Sequence, residues 1–387
     1  MGVVASLLVA APAAAAPAVL VTDHTSGLLS INPNTGARGV LVDGDLESGF
    51  NAVTIAPDGS ILLADAQLHL LPDGSIWRIN PSTGARSLIT SNDSPASGPA
   101  FVEPSGIAVA ADGGVIVADP MAETAAATPG ALIHVDPATG ARTSLADNVS
   151  HAPDEPLTRP EDVAVAPSGT IYVVQDGEGK GDVFSLGANG VLAPVAHLPH
   201  DPQHFASGKP RGITAAPDGR LLVTEGDLFD NGGGSVVAVD PGNGSATTIS
   251  DNTNPGPPLT LPQGIALDPS GAILVTDLSA PDGKSAVFRI DPATGARTTL
   301  SANGAPPTAF SAELFFSPGI AYAPKAPATS ECKAAKKQAK KAKAKLKKAK
   351  KALKAAGTAK AKKQAKAAVK KAKKKAKKAK KAAKAAC

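Results

Sequence analysis

Residues 261–303 read LPQGIALDPSGAILVTDLSAPDGKSAVFRIDPATGARTTLSAN. The stretch contains four short runs of strand length, GIALD, AILVTD, AVFRI and RTTLS, and three of them are rich in Val, Ile or Leu. PSG and DPATG between them supply turn residues, either preset in φ or tolerant of positive φ. The unit reads as a four-stranded antiparallel meander. Its second strand is apolar on both faces, as are ILLA at 61–64, VIVA at 115–118, IYVV at 171–174 and LLVT at 221–224. Such a strand must be covered on both faces, which sheets stacked around an axis achieve.

Versions of this unit recur along the chain. The position of Gly264 has equivalents at Ala52, Gly106, Asp162, Gly212 and Gly319, with steps of 54, 56, 50, 52 and 55 residues. Periods of this size with four strands each predict propeller blades. The ends complement each other. The last copy, SPGIAYAP, has a first strand and stops at Pro324, whereas the first copy, from Val19, has strands two to four and no first strand. One blade built from both ends removes the open edge. The predicted fold is therefore all-β: a six-bladed β-propeller closed by a blade shared between the termini.

PSGIAVAADGGVIVAD (104–119) and LPQGIALDPSGAILVTD (261–277) resemble the NHL repeat of β-propellers over roughly residues 19–324. Six-bladed relatives include the gluconolactonase and senescence-marker family, and virginiamycin B lyase is a seven-bladed cousin. The resemblance implies fold more than function, because propellers host enzymes and binding platforms alike.

The ends differ from the middle. Residues 1–18, MGVVASLLVAAPAAAAPA, match the apolar region of a secretory signal, with Ala16-Pro17-Ala18 as its cleavage site. Residues 325–331 form a linker, and residues 332–387 a Lys/Ala-rich tail. Residues 325–387 hold 27 Lys and one acid, Glu331, hence +26; the whole chain is +5, so residues 1–324 carry −21. From Cys332, non-Lys residues recur at alternating steps of 3 and 4 as far as Ala356, Gly357-Thr358 interrupts, and a second stripe runs to Ala386. This spacing fits a helical hairpin with a coiled-coil-like seam, while the charge density equally fits a disordered polycation. Cys332 and Cys387 are the only cysteines, and an oxidising compartment would allow them to bond. Closing that loop of 55 residues would stabilise the hairpin by about 4 kcal/mol in the chain-entropy model.

Lys without Arg or aromatic partners cannot read bases, which argues against sequence-specific nucleic-acid binding. The tail can sense only negative charge, at about 1 kcal/mol per Lys near an anionic surface. The expected partner is anionic envelope polymer or lipid, in keeping with a secreted or envelope-associated protein. Nucleic acid takes that place if residues 1–18 are not a signal.

In this meander the loops after the second strands and the blade-to-blade loops share the top face. Six second strands end in Asp23, Asp65, Asp119, Gln175, Glu225 and Asp277. This carboxylate ring would suit a hard divalent cation such as calcium, or each acid could cap its own loop by accepting backbone N–H bonds. The gluconolactonase family holds a divalent metal at this place, but this chain has Pro-x-Gly where those enzymes carry Asn-Gly. Just before the marker lie Asn51, Ser105, Glu161, Arg211, Gln263 and Pro318, a polar ring at the channel mouth in which Glu161 and Arg211 break the repeat. His197, His200 and His204, with His24, are top-loop candidates for zinc ligation or general-base work, or are solvated loop histidines. The Arg residues of the TGAR turns (Arg38, Arg86, Arg142 and Arg297) are expected to guard exposed outer edges. Three functions fit: a secreted ligand-binding or interaction platform tethered by its tail, a metal-dependent hydrolase or lyase, and an intracellular nucleic-acid-associated protein.

Overall fold

A computed structural model describes residues 17–324 apart from 24–25, 45–48, 67–73, 95–97, 123–128, 148–156, 178–179, 188–189, 199–208, 227–232, 281–283 and 303–318. Beyond Pro324 it describes scattered residues between 340 and 377, which apart from Thr358 are helical, including 366–370. The chain divides into two compact units between Pro324 and Lys325. Residues 1–16, Cys332 and Cys387 lie outside the described residues, and with them the signal segment and the disulfide.

The propeller has six four-stranded antiparallel sheets. Blade two runs through Phe50–Ile55, Ile61–Asp65, Ser75–Ile79 and Arg86–Ser91, and blade three through Gly106–Val109, Val115–Asp119, Ala131–Val135 and Arg142–Asp147. Blade four comprises Pro160–Val165, Ile171–Gly177, Lys180–Leu186 and Leu192–His197. Blades five and six begin at Pro210–Ala215 and Pro262–Leu267 and end at Ala246–Ser250 and Arg297–Ala302. Blade one is the composite: Ile320–Ala323 is its innermost strand, followed by Ala18–Asp23, Gly27–Ile31 and Arg38–Asp43. In its ladder Val19 pairs with Tyr322, Leu20 with Ala321 and Val21 with Ile320.

Side-chain alternation explains the apolar second strands. Ile61 and Leu63 pack against blade one, with Leu20 and Leu28. Leu62 and Ala64 point the other way, to Val115 and Val117 of blade three. The same division holds at every junction, giving six clusters that each join two neighbouring blades. The cluster between blades six and one unites Val19, Val21 and Ile320 with Leu274 and Val287, so the composite blade is packed on both sides like the others. Each fully buried Val, Leu or Ile contributes about 1.5–3 kcal/mol.

Two polar systems reinforce the stack. Near the top of the channel, hydrogen bonds join the inner strands of one blade to the next. Thr22 Oγ1 donates to the Asn51 carbonyl at 3.1 Å, Asn51 Nδ2 to the Pro104 carbonyl at 3.2 Å and Ser105 Oγ to the Glu161 carbonyl at 2.7 Å. The Ile213 amide donates to Asp162 Oδ2 at 2.9 Å, and Thr224 Oγ1 donates to the Gln263 carbonyl. The blades are so close here that a Cβ on Gly106 would lie 2.6 Å from Asp162 Cα, and one on Gly319 2.6 Å from Ala52 Cα.

The outer system corrects the expectation for the TGAR arginines. They clamp neighbouring blades rather than guard an open edge. Arg38 donates to the Ala302 carbonyl of blade six at 2.7 Å, and Arg86 to the Asp43 carbonyl of blade one. Arg142 reaches Asn92 of blade two at 3.2 Å and lies over the Phe101 ring. Arg297 is 4% exposed and bonds Ser250 Oγ and the Asp251, Asn254 and Pro257 carbonyls. A long cation can satisfy carbonyls on the next sheet, whereas a short side chain at this position cannot reach them.

Arg297→Ala therefore leaves the buried Ser250 hydroxyl and three half-buried carbonyls without this partner and is expected to destabilise the propeller by about 2–3 kcal/mol. Gly319→Ala forces inner strands apart at the composite blade and is expected to cost about 1–3 kcal/mol. Thermal unfolding of the two variants checks both.

Candidate functional site

The innermost strands enclose a central channel with a cavity volume of about 580 Å³. Its wall includes Asn51, Ser105, Glu161, Asp162 and Arg211. Each lies at or just before the point where an inner strand begins, so alternation and blade symmetry bring residues from four blades to one opening. Gln263, from the same sequence ring, is 4% exposed, with Nε2 turned to the Leu261 carbonyl of its own blade. Pro318 lies outside the described residues.

Glu161 and Arg211 place opposite charges in this mouth, with Oε2 and Nη1 3.6 Å apart. Arg211 Nε also donates to the Gly226 carbonyl at 3.2 Å, which fixes the guanidinium on blade five. Asp162 occupies a position held by glycine in four of the five other copies. Its Oδ1 and Oδ2 accept the Val163 and Ile213 amides at 2.8 and 2.9 Å. Protein surrounds Asp162, yet it borders the channel; burial pushes its carboxyl up to about 7 against the pull of those amides, and the Glu161 charge adds to the rise. At the rim, Glu103 is also pushed up to about 7, first by burial, then by the charges of Glu161 and Asp119, with Arg159 opposing. Glu103 and Asp162 were not singled out from the sequence. The departure of Asp162 from the glycine pattern was a usable signal; Glu103 carried none, because its neighbour Glu161 arrives from another blade.

The second-strand acids are placed differently. Asp119 accepts the Val102, Glu103 and Met121 amides at 2.7, 3.0 and 3.1 Å. Asp277 accepts those of Thr260, Leu261 and Ser279 at 2.8, 3.2 and 3.0 Å. Asp65 takes the Gly49 amide, Asp23 the Ser26 amide, and Gln175 Oε1 the Thr158 amide. Each ties down a top loop of its own blade, and neither they nor Glu225 belong to the described channel wall. Among the described residues, no group of three or more His, Cys, Asp or Glu could hold a metal ion. Of the candidate histidines, His197 is exposed at the end of Leu192–His197, away from the channel wall; His24, His200 and His204 lie outside the described residues.

Glu225 differs from the aspartates. It is 5% exposed, its Oε2 accepts Ser235 Oγ at 2.5 Å, and its Oε1 has no hydrogen-bond partner among the described residues. Burial pushes its carboxyl up to about 7.

No protein-family model matches the sequence. No curated protein matches it either. Solved structures do share the fold. TolB from Acinetobacter baumannii superposes with a TM-score of 0.55 at 14% identity, over 80% of this chain and 66% of that one. The periplasmic gluconolactonase of Pseudomonas aeruginosa gives 0.50 at 17% identity, over 80% and 99%. A Bacteroides caccae protein of unknown function gives 0.51 at 15% identity, over 80% and 99%. These likenesses establish the propeller architecture. This chain spans about two thirds of TolB's length.

Glu103, Asp162 and Glu225 bind more protons folded than unfolded, so their contribution to stability is complete below about pH 4 and is lost as pH rises through about 7. The melting temperature is expected to fall between about pH 5 and 8. Glu225→Gln should flatten that slope and recover up to about 3 kcal/mol at pH 8. Calorimetric unfolding across pH reads both.

Proposed function

We propose that this chain is a secreted or envelope-associated binding propeller, with its ligand site at the top mouth of the channel and its polycationic tail as a tether. The observation that carries the reading is the Glu161–Arg211 pair. The structural hydrogen-bonding system takes the Ser105 hydroxyl, the Asp162 carboxylate and the Asn51 amide nitrogen. Glu161 contributes its backbone carbonyl to that system, and its side chain pairs with Arg211 of the neighbouring blade at the mouth. Opposite charges at a concave opening offer the few oriented polar groups that small-molecule sites use.

Secretion rests on residues 1–18. Cleavage after Ala18 would leave Val19 at the N-terminus, and Val19, Leu20 and Val21 would retain their partners Tyr322, Ala321 and Ile320. The tether rests on charge: +26 in residues 325–387 against −21 in residues 1–324. The hydrolase or lyase reading would use the same mouth. The second-strand aspartates are occupied with backbone amides, so their arrangement favours binding over metal chemistry.

A thermal-shift screen of small polar compounds against the full chain tests the site. Compounds that raise the melting temperature of the wild type should lose that effect in Glu161→Gln. Shifts that survive this change and Arg211→Leu contradict the placement. For the tether, deleting 325–387 should release the protein from cells, and washing with about 1 M salt should do the same to the intact protein. Retention of the truncated protein, or of the intact protein after the wash, contradicts an electrostatic anchor.

A further inference from the structure

The channel changes character along its length. Below the mouth, six positions are equivalent by strand register: Ile55, Val109, Val165, Ala215, Leu267 and Tyr322. Each faces the residue four before the end of the second-strand run in its blade, as Ile55 faces Ile61, Ala215 faces Leu221 and Tyr322 faces Val19. All six border the channel, and all six are half-buried. The position before each is Ala or Thr in every copy, and it too borders the channel. Short side chains there keep the channel hollow. At about 3.3 Å per strand residue, the apolar ring lies about 13 Å below Asn51, Ser105, Glu161 and Arg211.

The ring is not explained by packing alone. One side of each residue meets the cluster at its blade junction. The other side faces the open channel. In a channel that held only water, polar side chains at half-buried positions would cost nothing, yet none of the six is charged and five carry a large apolar body. Contiguous apolar surface of this kind marks a place where an apolar group is received. The channel as a whole, about 580 Å³ with a few polar groups at one end, has the size and make-up of a small-molecule site. Ala215 is the smallest member of the ring, and it belongs to blade five, which also carries Arg211 at the mouth. The widest path therefore runs down the wall of blade five.

From this arrangement we propose that the channel binds a small amphipathic molecule with an uncharged polar head at the mouth and an aliphatic chain in the apolar ring, passing over Ala215. The proposal deepens the binding reading given above and rests on it. The mouth decides the head. Glu161 and Arg211 already neutralise each other at 3.6 Å. A hydroxylated head can donate to one and accept from the other without breaking the pair. An anionic head would meet Glu161 and Asp162, and a cationic one Arg211.

The test is titration calorimetry of the full chain with methyl, hexyl, heptyl and octyl β-glucoside, each below its micelle-forming concentration. Affinity is expected to rise about three- to fourfold with each methylene from hexyl to octyl, and the methyl glucoside to be silent. Ala215→Leu closes the path and should weaken the octyl compound by about tenfold or more. Leu267 shows that a blade of this propeller accepts leucine at that position. Val165→Thr, which puts a hydroxyl in the ring, should weaken it by about threefold while leaving the head's contacts in place. Octanoate and octylammonium should each bind more weakly than octyl glucoside. Melting curves confirm that each variant is folded.

Unchanged affinity for the octyl compound in folded Ala215→Leu and Val165→Thr overturns the proposal, as does silence with all four glucosides. Tighter binding of either charged octyl compound overturns the uncharged head. Methyl glucoside binding as well as octyl, with loss in Glu161→Gln, overturns the apolar ring as a subsite while sparing the mouth. Failure of the mouth itself is read separately, from the screen in which ligand shifts survive Glu161→Gln and Arg211→Leu.

Discussion

The ladder between Ile320–Ala323 and Ala18–Asp23 is the contact on which the ring depends. Every other blade is local in sequence, and hairpins alone could assemble it. Blade one cannot form until the last strand of the propeller returns to the first. Closure then has consequences beyond one ladder. Gly319, just before that strand, donates its amide to the Asn51 carbonyl at 2.7 Å and to Thr22 Oγ1 at 2.6 Å. Three segments, from the start, the second blade and the end of the propeller, thus share one small network beside the mouth. The cost of closing a loop of some three hundred residues grows only slowly with its length, and burial at two blade junctions offsets it.

The channel mouth follows from the same closure. Its wall collects residues far apart in sequence, and a shared radius is all that makes them neighbours. Most positions there serve the stack. Thr22, Thr224 and Ser105 use hydroxyls to join inner strands, Asp162 receives an amide from blade five, and glycine at 106 and 319 lets backbones approach. Glu161 and Arg211, from blades four and five, add an ion pair at the same opening, and they are the positions where the repeat is broken by charge.

The parts legible in the sequence were those carried by local pattern. Runs such as ILLA and VIVA announced strands covered on both faces, the spacing from Ala52 to Gly319 counted the blades, and the missing first strand before Val19 pointed to closure. The contents of the mouth were legible where a residue broke the repeat, as Glu161 and Arg211 do. What escaped depends on contacts between blades. The TGAR arginines read as edge guards because the carbonyls they bind belong to a different copy of the repeat. The ring of Asp65, Asp119 and Asp277 allowed both a metal and a loop-capping reading, since only coordinates show amides from sixteen or seventeen residues upstream turning to meet them. Thr22 and Thr224 looked like ordinary strand residues for the same reason.

Amide hydrogen exchange of the intact chain, followed by mass spectrometry, tests the closure most directly. Val19, Leu20 and Val21 are at most 1% exposed, as are Ile61, Leu62 and Leu63 in blade two. Peptides covering Ala18–Asp23 and Ile320–Ala323 should therefore be as slow to exchange as Ile61–Asp65, and the three should lose protection together as denaturant is added. Exchange of the first or last strand within seconds, while Ile61–Asp65 stays protected, would mean that the ring is open and that the mouth does not exist as a site.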